Sequence, residues 1–236
     1  MTVPGTIWIQ EREQEVAMLN QSLLMNNLPA SWLLRNALIL IILVLFSSAS
    51  IAASASPDIL VRDTTDEILS LLRKNNATYK KDTKKLYAMV HKKILPHFDF
   101  TAMSRMVLAR NWRTANDDQR TRFTVAFRDL LVRTYATALL KYTDEKIELL
   151  PYHAQPDDRK VIVKTEIRPG AGGPPIPLYY RFYDKKGEWK VFDVSIDGVS
   201  MVTNYRSVYA EKVRKQGLDA LIVQISKENT TDKKTK

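Results

Sequence analysis

The chain has 236 residues, a formal net charge of +10, 45% hydrophobic residues and 26% charged residues. These values are ordinary for one globular domain or two small ones, and they exclude wholesale disorder, a collagen-like repeat and a polytopic membrane protein. The absence of cysteine excludes disulfide scaffolds, thiolate metal sites and a catalytic thiol, and the three histidines are too few for a histidine-rich metal site.

The N-terminal region predicts a secretory signal peptide. Residues 37–46 form an unbroken apolar run that follows an arginine and precedes a series of small residues, which is the order of features in such a signal. The run is short for a membrane-spanning helix. We assign residues 25–55 to the signal and expect cleavage near Ala53 or Ala55. An anchor that stays uncleaved is the alternative.

Residues 1–24 do not fit this signal. Glu11, Glu13 and Glu15 place acidic charge ahead of the apolar run, whereas a start at Met25 gives a signal of ordinary proportions. We therefore expect Met25 to be the true start and the upstream stretch to be a spurious extension of the reading frame.

The mature chain is then a cysteine-free, strongly basic, secreted domain. Residues 1–56 contain two basic and three acidic residues, so the remainder carries a net charge of +11. In a bacterium, such a protein belongs in the periplasm. Nucleic acid is a poor candidate partner there, whereas anionic lipid head groups or an acidic protein would match the charge.

Helical periodicity predicts four helices in the first half of the mature chain. Thr64–Glu67 is expected to cap the first helix, and Asp82 is expected to cap the second, which Pro96 ends. A short third helix covers residues 100–107. A long fourth helix covers about 116–142, with apolar residues at spacings of three and four.

The period then changes to that of β-strands. Segments rich in β-branched and aromatic residues predict four strands, at 146–150, 160–168, 178–183 and 188–196. Residues 184–187 read DKKG and predict a tight hairpin turn. The glycine- and proline-rich segment 169–177 predicts a surface loop or a flexible lip over a cavity.

Helical periodicity returns near the C-terminus. One helix is predicted over Val199–Lys215, where Gly217 ends it, and a short one over 218–225. N-terminal helices, a four-stranded, mainly antiparallel sheet and C-terminal helices indicate a single α+β domain, which we place at residues 56–226. Residues 227–236 are predicted to form a polar tail.

Motifs that would indicate catalysis are missing from the sequence. It contains no glycine-rich phosphate loop, no G-x-S-x-G and no H-E-x-x-H. His91 and His97 do not have the spacing of metal ligands on one helix face. Asp193 and Asp197 would lie roughly 13 Å apart on one strand, which is too far for a glycosidase pair. We therefore predict that the protein is not an enzyme and holds no cofactor.

The strand segments carry apolar side chains on both faces, notably at 161–163 and 189–196. A face that does not pack on the long helix needs another cover. The last helices would supply it, or an apolar ligand would lie between the sheet and the helices. The pattern alone favours the ordinary core.

Ordered motifs in the chain resemble those of a known family. Residues 189–225 contain WKVFDVSIDGVS, NYRS and GLD, and DF, LARNW and TYA precede them at 99–100, 108–112 and 134–136. This order resembles the MlaC family, also called the toluene-tolerance family, of periplasmic phospholipid-binding proteins. Ala109 stands where the family usually has glycine. The similarity covers roughly residues 60–226.

The resemblance implies a function, a cargo and partners. Similar proteins bury the acyl chains of a phospholipid between a sheet and helices and shuttle it between the outer and inner membranes, which maintains outer-membrane lipid asymmetry. They exchange lipid with an outer-membrane lipoprotein–porin complex and with an inner-membrane MCE-domain ring that is joined to an ABC transporter, commonly in the retrograde direction. We expect this chain to be such a carrier, monomeric and without a nucleic-acid partner.

The physical demands of carriage explain why no catalytic residue is needed. Each buried methylene contributes about 0.8 kcal/mol, so two long acyl chains in water would cost on the order of 20 kcal/mol. A soluble carrier must therefore enclose the chains in a dry, apolar cavity. Because the burial of the chains is similar in a bilayer and in such a cavity, docked partners or ATP hydrolysis elsewhere would set the direction of transfer.

We predict fourteen cavity-lining residues from the strand and helix patterns. A one-residue error in strand register would exchange the two faces of the sheet, and ordinary core packing is the alternative for each residue. The predicted residues are Val161, Val163, Tyr180, Phe182, Phe192, Val194 and Ile196 from the sheet, and Val107, Phe127, Leu131, Tyr135, Val199, Val202 and Tyr205 from helices.

Three further interpretations concern charge and polar groups. Arg206 would form an ion pair with Asp193 that orients the last helix, or it would contact a lipid phosphate. A catalytically silent adaptor would dock an acidic partner through the basic surface, with no ligand inside. An enzyme would need polar groups that converge in the cavity, and His153, Asp193 and tyrosines are the few that the sequence offers.

Overall fold

The computed structural model describes residues 55–141, 145–155, 157–170 and 172–231. Residues 1–54, and with them almost all of the predicted signal peptide, lie outside the described residues. In chain order, the elements are α1 (Pro57–Lys81), α2 (Thr83–Lys93), the 3₁₀ turn Leu95–His97, α3 (Phe100–Leu108), α4 (Arg110–Thr114), α5 (Asp117–Ala136), the 3₁₀ turn Thr137–Lys141, β1 (Lys146–Leu149), β2 (Lys160–Arg168), β3 (Ile176–Lys185), β4 (Glu188–Ile196), β5 (Val199–Ser200), α6 (Met201–Gln216) and α7 (Leu218–Thr231).

The start of α1 differs from the sequence prediction. The helix begins at Pro57, and Thr64 lies inside it instead of capping it. Proline suits the first turn because its missing N–H would have no helical partner there, and Asp58 places negative charge at the positive end of the helix dipole. The helix is kinked at Asn75, whose φ of −117° is non-helical and whose side-chain amide donates to the Leu71 carbonyl at 3.0 Å.

Side-chain caps begin α2 and α3. Asp82 accepts a hydrogen bond from the Lys84 N–H at 3.0 Å, which confirms the predicted cap of α2. Asp99 accepts one from the Ala102 N–H at 2.9 Å and so begins α3. The predicted end of the long fourth helix is wrong, because α5 stops at Ala136 and the chain tightens into a 3₁₀ turn.

The strands form one antiparallel sheet in the order β1-β2-β3-β4-β5. Within the described ranges the sheet has five strands where the sequence predicted four, because Val199 and Ser200 pair with the end of β4 instead of beginning a helix. Ser200 then caps α6 by accepting the Thr203 N–H. The predicted hairpin turn is confirmed, since Lys186 and Gly187 have φ values of 56° and 87°, the left-handed conformation of a tight two-residue turn.

The C-terminal helices follow the prediction at their junction. Gly217 ends α6 with a φ of 83°, a conformation that glycine adopts without strain. α7 then continues to Thr231, so the helix enters the segment predicted as a polar tail. In the ranges that the structure describes, no helix is long and apolar enough to cross a bilayer.

In the part of the chain that the structure describes, buried apolar side chains form three clusters. The first joins α3, α5, α6 and α7 around Phe123 and Phe127, both of which are fully buried. The second joins α1, α2 and α5 around Leu72 and Leu86. The third joins α1 to the inner face of the sheet around Phe182. Members of the second and third clusters both border the cavity described next.

Candidate binding cavity

A cavity of about 600 Å³ lies between the inner face of the sheet and helices α1, α2 and α5. Its wall is almost entirely apolar. The apolar wall residues include Leu60, Val61, Ile68, Leu69 and Leu72 from α1, Val90, Ile94, Leu95, Phe98, Phe100 and Met103 from α2 to α3, Leu131, Val132, Ala136, Ala138 and Leu139 from α5 and the turn after it, and Ile147, Ile167, Ile176, Leu178, Phe182, Val191, Val194 and Ile196 from the sheet. Such a wall suits an apolar ligand.

Strand alternation makes the sheet one side of this cavity. Val161, Val163 and Ile167 of β2 are buried, whereas Ile162 is 45% exposed on the other face. Tyr180 of β3 is the register partner of Val163 and therefore shares the inner face. The sheet thus has an apolar inner face towards the helices and a solvent-exposed outer face.

Six of the fourteen predicted residues lie in the cavity wall, namely Leu131, Tyr135, Tyr180, Phe182, Val194 and Ile196. Val161 and Val163 share the inner face of the sheet, but they are buried in the cluster that contains Val61 of α1. The structure therefore places these two valines in the core beside the wall and not in the wall itself.

Four predicted helical residues lie in a different core. Val107, Phe127, Val202 and Tyr205 belong to the cluster of α3, α5, α6 and α7, where the rings of Phe127 and Tyr205 meet edge to face at 5.2 Å. Leu131, one turn further along α5, does reach the cavity. Helical periodicity identified the apolar stripe of α5, but it does not say that the stripe divides between two neighbours.

Two predicted residues near β4 also lie away from the wall. The pairing of β3 with β4 shifts between Arg181 and Phe182, and Phe192 is the extra residue of this bulge. Its ring packs against Tyr183 with the centroids 5.9 Å apart. Val199 is 58% exposed in β5. Strict alternation in the sequence predicted Phe192 on the cavity side, but the bulge interrupts that alternation. Val199 was predicted in a helix, whereas it lies in β5.

The sequence prediction missed the contribution of α1. Its wall residues recur at helical spacing, and this period was itself a usable signal. The prediction began the helix at Thr64, which left Leu60 and Val61 outside it. Met201, the first residue of α6, was also missed, because the sequence did not predict that β5 ends immediately before it.

Few polar side chains of the described residues reach the wall. Those that do, besides two tyrosines, are Thr64, Thr65, His97 and Thr134. Burial lowers the pKa of His97, and nearby Lys190 lowers it further against the opposing effect of Glu67. Burial raises the pKa of Tyr180 to about 12. Both shifts favour uncharged side chains at the wall, and the described residues contain no cluster of His, Asp or Glu that could hold a metal ion.

The predicted ion pair between Arg206 and Asp193 is wrong. Asp193 accepts a hydrogen bond from the Ser200 hydroxyl at 2.6 Å and lies 3.8 Å from the Arg181 guanidinium. The Nε of Arg206 donates instead to the carbonyl oxygen of Met106 at 2.7 Å, which ties α6 to α3. Asp193 also lies in β4 whereas Asp197 follows that strand in a turn, so the two carboxylates do not share a strand.

The fold and the cavity together define a class of protein: a single-domain α+β protein in which helices and one face of an antiparallel sheet enclose an apolar space. Within this class, the chain belongs to the MlaC protein family, whose model matches residues 62–227.

Three known proteins are similar to this chain over most of its length. It is 29% identical over 175 residues to the intermembrane phospholipid transport system binding protein MlaC of Haemophilus influenzae. The aligned residues make up 73% of this chain and 82% of the relative. It is also 29% identical over 182 residues to the toluene tolerance protein ttg2D of Pseudomonas putida. That alignment covers 77% of this chain and 83% of the relative. A solved phospholipid-binding protein from Ralstonia solanacearum, in complex with a phospholipid, superposes with a TM-score of 0.69 at 26% identity over 75% of this chain and 98% of that one.

Proposed function

We propose that this protein is a periplasmic carrier of phospholipid. The observation that carries the proposal is the apolar cavity of about 600 Å³ between the sheet and α1, α2 and α5. The phospholipid complex of the Ralstonia solanacearum relative supports it, because the two chains share a fold at 26% identity. The acyl chains occupy the cavity, and the head group stays in water.

The cavity supplies what carriage requires. Moving two long acyl chains from an apolar environment into water costs on the order of 20 kcal/mol of free energy. A protein that encloses the chains therefore lowers the barrier to transfer. The neutral state favoured for His97 and Tyr180 avoids a buried charge beside the chains. No step of this function breaks a covalent bond, and the protein acts without catalysis.

The proposed partners are those that the resemblance to the family implies. The carrier receives phospholipid from an outer-membrane lipoprotein–porin complex and delivers it to an inner-membrane MCE-domain ring with an ABC transporter, which maintains the lipid asymmetry of the outer membrane. The name of the Haemophilus influenzae relative, a binding protein of an intermembrane phospholipid transport system, supports this assignment. The predicted signal peptide supports export to the periplasm.

A ligand-free adaptor is the competing function. Such an adaptor needs only a basic surface and a filled core. The cavity favours the carrier, because a fold that only docks a partner gains nothing from empty apolar space, whose lining loses packing contacts.

Native mass spectrometry of the mature protein, purified from bacterial cells and followed by organic extraction, tests the proposal. We expect phospholipid in near-stoichiometric amount, and its mass reports the head group and the number of acyl chains. A protein that stays free of lipid, also after incubation with phospholipid vesicles, would favour the adaptor.

A further inference from the structure

The outer face of the sheet is a second surface, separate from the cavity. Alternation along β2 and β3 turns Lys160, Ile162, Lys164, Tyr179 and Arg181 away from the inner face, and we call these five residues the outer basic face. All are exposed except Tyr179, which is half-buried. Ile162, at 45% exposure, is an aliphatic side chain that the fold leaves in water between two lysines.

The positive charge of this face is only partly balanced, because Arg181 lies 3.8 Å from the carboxylate of Asp193 whereas the two lysines have no acidic partner among the described residues. Glu148 of β1 and Glu166 of β2 lie on the same side of the sheet, and both contact Arg168, at 2.6 and 3.5 Å. Among the described residues, Lys160 and Lys164 form no salt bridge. The ammonium group of Lys164 lies 5.7 Å from the centroid of the Tyr179 ring.

The composition of the face favours a lipid surface over a protein surface. Lysine is depleted at the cores of protein–protein interfaces, whereas a lysine ammonium is a compact charge that binds single phosphates. Lys160 and Lys164 are spaced by roughly 13 Å along one strand, so they would meet different head groups. Tyr179 has the amphipathic ring that suits a membrane interface, and the stems of the lysines extend the apolar surface around Ile162.

We propose that the outer basic face binds the anionic surface of a lipid bilayer during exchange. The attraction between the protein and the anionic surface increases with each lysine near the membrane. It decays within a Debye length of about 8 Å at physiological salt, so the contact is transient and sensitive to salt. It holds the carrier against the membrane by a surface opposite the cavity wall. This inference goes beyond the carriage of lipid and does not require that the cavity be loaded.

The test is co-sedimentation of the mature protein with vesicles of pure phosphatidylglycerol or of pure phosphatidylcholine. The variant Lys160→Glu/Lys164→Glu reverses two charges on the outer basic face. The matched control, Lys84→Glu/Lys85→Glu, makes the same change at two exposed lysines of α2, which lies among the helices. Circular dichroism checks that each variant folds, and Lys160→Gln/Lys164→Gln replaces the first variant if it does not.

We expect the wild type to bind phosphatidylglycerol vesicles at low salt and to release them as the salt concentration rises. It should not bind phosphatidylcholine vesicles. The outer-face variant should bind about tenfold more weakly or worse, and the α2 variant should bind within about twofold of the wild type. Equal losses in both variants, binding of the outer-face variant at wild-type strength, or a wild type that does not bind anionic vesicles would each overturn the inference. Native mass spectra of the same samples report the cargo separately, so failure of the carrier function would be distinguishable.

Discussion

Asp193 Oδ1 accepts the backbone N–H of Val202 at 3.1 Å, so a carboxylate on β4 holds the first turn of α6. Asp193 is 1% exposed, and its Oδ2 accepts the hydroxyl of Ser200 at 2.6 Å. A negative charge is favourable at this end of a helix. The two bonds also fix Met201, which lies between their donors and lines the cavity.

Replacing this carboxylate should destabilise the protein. We expect Asp193→Asn to lower the free energy of unfolding by about 2 kcal/mol, because two hydrogen bonds to a buried carboxylate lose their charged acceptor. Urea unfolding measures the change. Asp197→Asn is the control, since Asp197 is exposed in a turn at a φ of 49° that asparagine tolerates. An equal loss in both variants would contradict the anchoring role of Asp193.

A larger side chain at the cavity wall should exclude cargo without unfolding the protein. Leu178 lines the cavity and is only half-buried, so the indole in Leu178→Trp can extend into empty space. We expect stability within about 1 kcal/mol of the wild type and a marked loss of co-purified phospholipid. Native mass spectrometry measures the lipid content. Val125→Trp, at a position of α5 that is 42% exposed, should keep its cargo, and equal loading of both variants would argue against this cavity as the lipid site.

The sequence predicted most helices and strands because periodicity and caps are local properties. The side chain of Asp82 caps the start of α2, and Gly217, which has no side chain, adopts the positive φ that ends α6. Both signals can be read from a single residue. The cavity was harder to predict because neighbouring residues of one stripe face different partners. Phe127 packs against α6, whereas Leu131 reaches the cavity, and only the tertiary arrangement of the helices separates them.

The buried carboxylate of Asp99 should make stability depend on acid. It accepts hydrogen bonds from Tyr183 and, at 2.7 Å, from Lys185. Burial raises the pKa of this carboxyl, but the hydrogen bonds from Lys185, Tyr183 and the Ala102 N–H outweigh that effect and hold it below its ordinary value. Because the folded pKa is the lower one, the stabilisation is present above about pH 4 and is lost as the pH falls through the folded value.

The variant Asp99→Asn isolates this contribution. We expect it to be less stable than the wild type at neutral pH, with the difference shrinking as the pH falls below about 4. Thermal unfolding across that range measures it. A difference that stays constant with pH would show that Asp99 acts only as the cap of α3 and not through its charge.

Tyr183 should limit stability on the alkaline side. Burial, with the hydrogen bond to Asp99, raises the pKa of this phenol to about 12. The folded pKa is the higher one, so the stabilisation is complete below about pH 10 and is lost as the pH rises through the folded value. Tyr183→Phe should therefore lose less stability than the wild type between pH 10 and 12. Parallel unfolding curves for the two proteins would contradict the shift.

Ala109 should be a site of backbone strain, since it joins α3 to α4 with a φ of 49° and a ψ of −111°. An L-residue reaches this conformation at a cost of about 1–3 kcal/mol, whereas glycine adopts it freely. Relief of that strain outweighs the extra flexibility that glycine gives the unfolded chain, so we expect Ala109→Gly to raise the free energy of unfolding by about 1 kcal/mol. Chemical denaturation measures the change.

Ala88→Gly is the matched control for this prediction. Ala88 is exposed inside α2, where its backbone is helical and glycine is the poorer residue. The same substitution should therefore lower the free energy of unfolding by about 1 kcal/mol, the opposite sign to Ala109→Gly. A loss of stability in both variants would mean that the junction between α3 and α4 holds Ala109 without strain.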